Sequence, residues 1–134
     1  MPQNITRSVE DLVAEASKTI RTLTVDEAKA MVGRDDVQFI DVRDVREVAE
    51  TGRIPGARHV PRGLMEFWID PKSPYHKPLF AEDKTFVFYC AASWRSALCT
   101  KVAQDMGLAP VAHFEGGLKA WNEAGGPLEA PKAK

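Results

Sequence analysis

Hydrophobic and polar positions along the chain form two patterns, one typical of buried strands and one of amphipathic helices. Apolar-rich runs at 37–42, 86–89 and 111–114 have the composition of strands buried on both faces, as in a parallel sheet. Between these runs, apolar residues recur at the spacing of an amphipathic helix. The alternation of strands and helices predicts an α/β layered fold with a largely parallel sheet.

Capping residues mark where the first helices begin. Ser8 precedes apolar residues at helical spacing and predicts an N-terminal amphipathic helix. Thr24 and Glu27 have the spacing of a capping box, and Gly33 predicts the end of that second helix. The other predicted elements are an edge strand at 20–23, a charged helix after Asp41 with Val45 and Val48 facing inward, a strand near 57–60, a helix at 64–69, a Pro-rich loop at 70–80 and a last helix after Gly117.

Composition and charge restrict the class of protein. The 134 residues are 44% apolar and 28% charged, which is ordinary for one globular domain. A net charge of −1 gives no basic surface for nucleic acid or an anionic membrane, and no apolar run suits a signal peptide or a membrane span. Two cysteines are too few for a disulfide framework and favour a reducing compartment, so we expect a cytoplasmic protein.

The stretch 85–96 carries the strongest candidate chemistry. Its strand ends on Cys90, small residues follow, and a helical pattern begins at Arg95. A strand, loop and helix in this order point several backbone N–H groups into one bowl, and the helix N-terminus adds partial positive charge. Such a bowl favours an anion, so a nucleophilic thiolate is favoured over a buried structural cysteine. Cys99 instead shares an apolar helical stripe and is predicted to lie in the core.

Other candidates keep two interpretations when only the residues are considered. Arg95 either completes the anion bowl or begins the helix with its side chain in water; an anion or carboxylate partner would favour the first. Asp41 ends its own strand and should share the sheet edge of Cys90. With Arg43 it either supports the site or forms a surface salt bridge. Trp94 either contacts a substrate or partner or covers the core. Since no Cys or His stands at ligand spacing from Cys90, we predict neither a metal site nor a cofactor.

Four groups of residues stand in the same order as in a known family. They are Phe39-Ile40-Asp41-Val42-Arg43, then Glu47 with Gly52-Arg53-Ile54-Pro55-Gly56-Ala57 and Pro61, then Val87-Phe88-Tyr89-Cys90 with its loop, and finally Glu115-Gly116-Gly117 with Ala120-Trp121 and Gly125-Gly126-Pro127. From about Thr24 to Leu128 the chain resembles single-domain rhodaneses, the thiosulfate sulfurtransferase family. The resemblance implies a rhodanese-like three-layer fold, with a central, mostly parallel five-stranded sheet flanked by helices. The implied organisation is an N-terminal extension at 1–23 with an amphipathic helix, a rhodanese-like domain at 24–128 and a flexible tail at 129–134.

The resemblance also implies roles for the loop. In the family, a six-residue loop begins with the nucleophilic cysteine, which matches Cys90 to Arg95 here. The cysteine takes the outer sulfur of a donor such as thiosulfate, becomes a persulfide and passes the sulfur to cyanide or a thiol. A small sulfur-containing anion or a persulfide is the implied donor, and a protein is a further candidate acceptor. Backbone N–H groups would hold the terminal sulfur, in a binding loop that comprises Ala91, Ala92, Ser93, Trp94, Arg95 and Ser96.

Two departures from the family pattern bear on the substrate. Many family loops have a basic residue directly after the cysteine and a glycine at the fourth place, where this chain has Ala91 and Ser93. An uncharged loop favours a donor with less charge than thiosulfate, or a protein persulfide. A sulfur carrier or regulatory binding module without turnover is the alternative function, because it would need the same cysteine. Related dual-specificity phosphatases use a seven-residue loop, so the shorter loop here favours sulfur over phosphorus.

Overall fold

The computed structural model describes residues 3–131, in which a central sheet is covered by helices on both faces. The strands are β1 (Arg21–Leu23), β2 (Val37–Asp41), β3 (Arg58–His59), β4 (Thr85–Tyr89) and β5 (Val111–Phe114). Their order across the sheet is β1-β5-β4-β2-β3, and every pairing is parallel. The predicted α/β fold with a five-stranded, mostly parallel sheet is therefore confirmed.

Helices and short 3₁₀ turns connect the strands. The helices are α1 (Val9–Ser17), α2 (Val25–Ala30), α3 (Val45–Thr51), α4 (Met65–Ile69), α5 (Trp94–Asp105) and α6 (Gly117–Glu123), and the 3₁₀ turns span Arg62–Leu64 and Pro78–Ala81. Ser8 caps α1 and Thr24 caps α2, each in a capping box, as predicted. Asp44 caps α3 and accepts a hydrogen bond from the backbone N–H of Glu47 at 3.2 Å. This cap fixes the start of α3 just after β2, and with it the place of Glu47.

The core consists of two apolar layers, one on each face of the sheet. Successive residues of β4 alternate between them, because side chains of a strand point to opposite faces in turn. Phe86 and Phe88 belong to the layer that includes residues of α4 and α5, whereas Val87 and Tyr89 belong to the layer that includes residues of α2 and α6. The arrangement explains why β4 is apolar along its length, and it leaves the loop that follows β4 at the carboxyl edge of the sheet.

Three details of the predicted elements are corrected. Val45 is 67% exposed, so its predicted inward position in α3 is wrong, whereas Val48 is half-buried. The side of α3 that faces the protein instead makes a polar contact through Glu47. The predicted loop at 70–80 ends in a 3₁₀ turn whose Leu79 and Phe80 are buried, with Pro78 at its first position. Helix α5 begins at Trp94, one residue earlier than the sequence pattern indicated.

The end of the described chain returns to the body of the protein. Arg53 and Glu129 form an antiparallel bridge, and Glu129 Oε1 accepts a hydrogen bond from Gly56 N at 2.7 Å. Of the extension predicted at 1–23, Met1 and Pro2 lie outside the described residues, as do residues 132–134 of the tail predicted at 129–134. Across residues 3–131, every helix is too short or too polar to cross a bilayer.

Candidate active site

Cys90 directly follows the carboxyl end of β4, which is the central strand of the sheet. Asp41 of β2 is in register with Tyr89 of β4, so Asp41 and Cys90 share one edge, as the sequence predicted. The Cys90 residue is only 2% exposed. It lies at the floor of a depression of about 190 Å³ that is lined by the six residues from Cys90 to Arg95. A buried sulfur below an open depression suits a reaction with a small group rather than a structural role in the apolar core.

The N-terminus of α5 faces the sulfur. The backbone N–H of Ser96 donates to Cys90 Sγ at 3.4 Å. The first N–H groups of a helix have no partner within the helix, and its N-terminus carries partial positive charge. In the 12-residue helix α5, this end lies beside Cys90 Sγ. Both features are of the kind that bind an anion at a helix N-terminus. Of the N–H groups that the sequence predicted around Cys90, that of Ser96 therefore points at the sulfur.

Ser93 has a backbone conformation that side-chain-bearing residues rarely adopt. Its φ is 147°, at the place where many family loops have glycine, and such a conformation costs about 1–3 kcal/mol in other residues. Two hydrogen bonds hold its carbonyl oxygen: one from Ala97 N at 2.9 Å and one from Ser96 Oγ at 3.0 Å. The sharp turn at Ser93 brings the start of α5 back toward Cys90.

Helix α6 supports the loop from below. Leu118 N donates to the carbonyl oxygen of Cys90 at 2.9 Å, and Lys119 N donates to that of Ala91 at 3.0 Å. These bonds require close approach at Gly117, where φ is 55° and a Cβ atom would lie 2.6 Å from the Cys90 carbonyl oxygen. Gly117 therefore has a direct structural role at the site: it lets the N-terminus of α6 bind the carbonyl groups of the loop while the N-terminus of α5 faces its sulfur.

Arg95 is held by a carboxylate. Its guanidinium donates to both oxygens of Glu47, at 2.6 and 2.9 Å. The guanidinium lowers the pKa of Glu47 to about 2, and the carboxylate in turn raises the pKa of Arg95. Arg95 is the one cationic side chain from Cys90 to Ser96, so the loop carries no free positive charge toward an anion. The anion-binding capacity of the loop rests on backbone N–H groups and the dipole of α5.

Asp41 and Arg43 form a buried ion pair, not a surface salt bridge. Their side chains are 0% and 3% exposed, and the carboxylate accepts from both Nε and Nη2 of the guanidinium. The guanidinium also donates to Thr51 Oγ1 and to the carbonyl oxygen of Gly52, each at 2.7 Å. The pair thus ties the end of β2 to the end of α3, the helix that presents Glu47. Neither residue contacts Cys90 directly through a hydrogen bond.

Sequence reasoning missed a histidine at the site. His113 of β5 is 3% exposed; its Nδ1 lies 3.0 Å from Ser96 Oγ and its Nε2 lies 3.0 Å from Thr22 Oγ1. Burial lowers the pKa of His113 to about 4. The only sequence signal was a polar residue in an otherwise apolar strand, and the position of Ser96 relative to β5 cannot be read from that.

The two remaining candidates are Cys99, which lies in the core, and Trp94, which lies at the rim of the depression. Cys99 is 1% exposed in the core as predicted, and burial raises the pKa of its thiol to about 12. Trp94 is 47% exposed and lines the depression above Cys90, with Ala92 also exposed beside it. An exposed indole at this rim favours contact with a substrate or partner over a role in covering the core.

Comparison with known proteins agrees with this geometry. The Rhodanese-like domain family matches residues 24–124. The chain belongs to this rhodanese-like family. A mouse thiosulfate sulfurtransferase/rhodanese-like domain-containing protein 3 is 31% identical over 108 residues, which are 77% of this chain and 69% of the mouse protein. The human thiosulfate:glutathione sulfurtransferase is 26% identical over 108 residues, 76% of this chain and 93% of the human one.

A solved structure matches this rhodanese-like chain over nearly its whole length. It is a Rhodopseudomonas palustris protein of unknown function, described as a possible tyrosine phosphatase. The two share 56% identity and a TM-score of 0.93, over 96% of this chain and 99% of the other. The named rhodanese relatives support a sulfurtransferase function at the level of the family.

Proposed function

We propose that this protein is a sulfurtransferase that carries sulfane sulfur on Cys90, from a donor such as thiosulfate to a thiol or cyanide acceptor. The observation that supports it most is the Ser96 N–H at 3.4 Å from Cys90 Sγ, below a depression lined by a six-residue loop. This arrangement places a hydrogen-bond donor and a helix N-terminus at the sulfur and leaves room above it for one more sulfur atom. Reduced Cys90 and Cys99 suit a reducing compartment, and we propose the cytoplasm as the location.

The proposed reaction has two steps, both of them displacements at sulfur. In the first, the Cys90 thiolate attacks the outer sulfur of thiosulfate; a bond forms between the two sulfurs, and sulfite leaves with the electron pair of the broken S–S bond. In the second, an acceptor thiolate or cyanide attacks the outer sulfur of the persulfide. The bond to Sγ breaks, its electron pair returns to Cys90, and the product is a persulfide or thiocyanate. Backbone N–H groups of Ala91 to Ser96 would hold the outer sulfur between the steps.

The charge of the loop bears on which donor is used. The guanidinium of Arg95 is paired with Glu47, and the residue after the cysteine is Ala91 rather than a base. A dianion such as thiosulfate therefore meets no free cation of the loop. We propose that persulfides of small thiols or of a protein are better donors than thiosulfate. The human relative is named for glutathione, which supports a thiol as acceptor.

Phosphate-ester hydrolysis is the competing assignment, because it is the description of the R. palustris neighbour. The loop from Cys90 to Arg95 has four intervening residues, one fewer than in the related phosphatases, and its arginine is occupied by Glu47. Both features favour a small terminal sulfur over a phosphoryl group. A sulfur carrier without turnover remains the second candidate, because it uses the same persulfide.

Intact-protein mass spectrometry tests the first step. After exposure to thiosulfate or to glutathione persulfide, the protein should gain the mass of one sulfur, and Cys90→Ser should gain none. Cys99→Ser is the matched control and should still gain it, since Cys99 is a core thiol. Adding cyanide should then remove the extra sulfur and release thiocyanate.

Each alternative has its own outcome in these measurements. Loading of Cys90 without repeated transfer to cyanide or a thiol would identify a carrier. Cys90-dependent hydrolysis of p-nitrophenyl phosphate without any sulfur loading would replace the proposal with a phosphatase. Equal sulfur loading of Cys90→Ser and the unaltered protein would refute Cys90 as the nucleophile.

A further inference from the structure

We propose that His113 is a positioning residue that, acting through Ser96, holds the strained turn of the loop at Ser93 and thereby keeps the N–H cradle directed at Cys90. The inference builds on the proposed function, since the cradle is assigned to sulfur transfer there. It concerns a residue of β5 whose two ring nitrogens bind Ser96 and Thr22 rather than the nucleophile itself. The groups that carry it are Thr22, His113, Ser96 and Ser93, which form one chain of hydrogen bonds from the edge of the sheet to the loop.

The register of the sheet creates the first link. Thr22 of β1 and His113 of β5 are direct partners in neighbouring parallel strands, so their side chains lie side by side on one face. Thr22 Oγ1 and His113 Nε2 are 3.0 Å apart. Thr22 lies just before residues 24–124 that match the family, so β1 adds a contact from outside the matched region.

The proton arrangement follows from the acceptors. The Ser96 hydroxyl has one proton, and the Ser93 carbonyl at 3.0 Å can only accept, so that proton points to Ser93. The ring nitrogen Nδ1 must then carry the proton of a neutral His113 and donate it to Ser96 Oγ at 3.0 Å. Nε2 is left as an acceptor for Thr22 Oγ1. Burial of the ring, which lowers the pKa of His113 to about 4, agrees with a neutral side chain.

Ser96 joins this chain to the sulfur. Its hydroxyl fixes the carbonyl of Ser93, the residue with φ of 147°, while its backbone N–H donates to Cys90 Sγ. Ser96 is fully buried, so water does not replace a lost partner at its hydroxyl. Removing the His113 donor leaves Ser96 Oγ short of one partner and frees it to turn. The carbonyl of Ser93 then loses one of the two bonds that hold the strained turn.

The test is a set of variants at His113 and Ser93, read by alkylation of Cys90. His113→Leu removes the donor at similar size, whereas His113→Asn keeps an amide N–H near the place of Nδ1. The second-order rate of Cys90 alkylation by iodoacetamide at a fixed pH, located by peptide mass spectrometry, should fall about tenfold in His113→Leu. His113→Asn should retain most of the rate. Alkylation needs no sulfur donor, so it reports on the cradle even if the proposed sulfur transfer fails.

Ser93→Gly supplies the decisive comparison. Glycine reaches positive φ without strain, so it should not need the hydrogen bond from Ser96. In the double variant Ser93→Gly/His113→Leu, the alkylation rate should recover toward that of Ser93→Gly alone. The two sites would then show a positive coupling, carried by the Ser96 hydroxyl that joins them. A purely structural role of His113 would lower the unfolding midpoint of both His113→Leu proteins equally and would not produce this recovery. An unaltered rate in folded His113→Leu, or the same tenfold loss with Ser93→Gly present, would overturn the proposal. Should His113→Leu fail to fold, Ser96→Ala replaces it in the same comparison.

Discussion

The guanidinium of Arg95 donates hydrogen bonds to both carboxylate oxygens of Glu47, joining the first turn of α5 to the first turn of α3. A cation at a helix N-terminus opposes the helix dipole, and a carboxylate beside it offsets that cost. The pair also leaves the loop around Cys90 without a free positive charge. One interaction thereby supports the geometry of the loop and limits its attraction for anions.

Removing the charge of Glu47 should reduce stability by a modest amount. Both side chains are about one third exposed, so solvent screens the pair, and Glu47→Gln is expected to lower the free energy of unfolding by about 0.5–1 kcal/mol at neutral pH. Urea unfolding measures this change. Glu50→Gln, an exposed residue on the same helix, is the matched control and should leave the midpoint unchanged. Equal midpoints for the two variants would contradict the prediction.

The same pair predicts a pH dependence with a defined sign. Arg95 lowers the pKa of Glu47 from 4.5 to about 2 in the folded protein. The folded state therefore binds this proton less readily than the unfolded state, and the stabilisation is fully present above pH 4.5. It should be lost as the pH falls from 4.5 toward 2, so the difference in urea midpoint between the unaltered protein and Glu47→Gln should shrink over that window. A difference that grows on acidification would exclude the assigned partner.

Gly117→Ala should destabilise the protein by more than the backbone strain of an alanine at positive φ, because the new Cβ would also clash with the loop. Its Cβ would lie 2.6 Å from the Cys90 carbonyl oxygen, whereas a Cβ at Gly125, which also has positive φ, would meet nothing within 4 Å. Gly125→Ala reports the strain alone, on the order of 1 kcal/mol. We expect Gly117→Ala to cost more, and to slow sulfur loading of Cys90 as well. Equal effects of the two substitutions on stability and loading rate would show that the close approach has no consequence.

Asp41→Asn should be strongly destabilising. It removes the charge that compensates the buried guanidinium of Arg43, and breaking a buried pair in this way costs about 3–5 kcal/mol. Chemical denaturation measures the loss. Asp36→Asn breaks the exposed Arg34–Asp36 pair and should leave the midpoint close to that of the unaltered protein. A small effect at Asp41 would mean that water or another group compensates Arg43.

A basic side chain placed directly after Cys90, as in many family loops, should change which sulfur donor the protein prefers. Ala91→Arg places a cation beside the depression over Cys90, which attracts dianionic thiosulfate more than a singly charged persulfide. We expect kcat/KM for thiosulfate to rise severalfold, and the gain to disappear at high ionic strength because salt screens exposed charges. Ala49→Arg, on the exposed side of α3, adds the same charge elsewhere and should not raise it. A gain that persists at high salt would point to a change in loop geometry instead.

Local patterns predicted the frame of the molecule well. The apolar run at 86–89 ends at Cys90, and Thr24 with Glu27 begins α2, because burial on both faces and capping each leave a signature within a few residues. The shared edge of Asp41 and Cys90 also followed, since strands in a parallel sheet end on the same side. These features depend on short stretches of chain and on one general property of sheets.

Contacts between distant polar side chains were not predictable in the same way. The partner of Arg95 is 48 residues away, and nothing in the composition of α3 distinguishes Glu47 from Glu50. The apolar pattern even placed the inward side of α3 at Val45, which is exposed, because this two-turn helix is held by polar contacts of Glu47 and Thr51. His113 was missed for a related reason: its role depends on the register of β1 against β5 and on where α5 lies over the sheet.

Because Cys90 is buried, the unloaded protein and its proposed Cys90 persulfide would differ in how far the reactive sulfur is accessible to other molecules. At 2% exposure, the unloaded Cys90 side chain lies beneath the surface, where bulky electrophiles reach it poorly. A persulfide on Cys90, as proposed above, would place its outer sulfur about 2 Å from Sγ, in the depression whose lining includes the exposed Trp94. Under the proposed function, an acceptor too large to reach unloaded Cys90 would therefore still collect sulfur from the loaded protein. Under the proposed function, the depth of Cys90 would require any donor, small or carried by a protein, to present its sulfur on a group narrow enough to enter the depression.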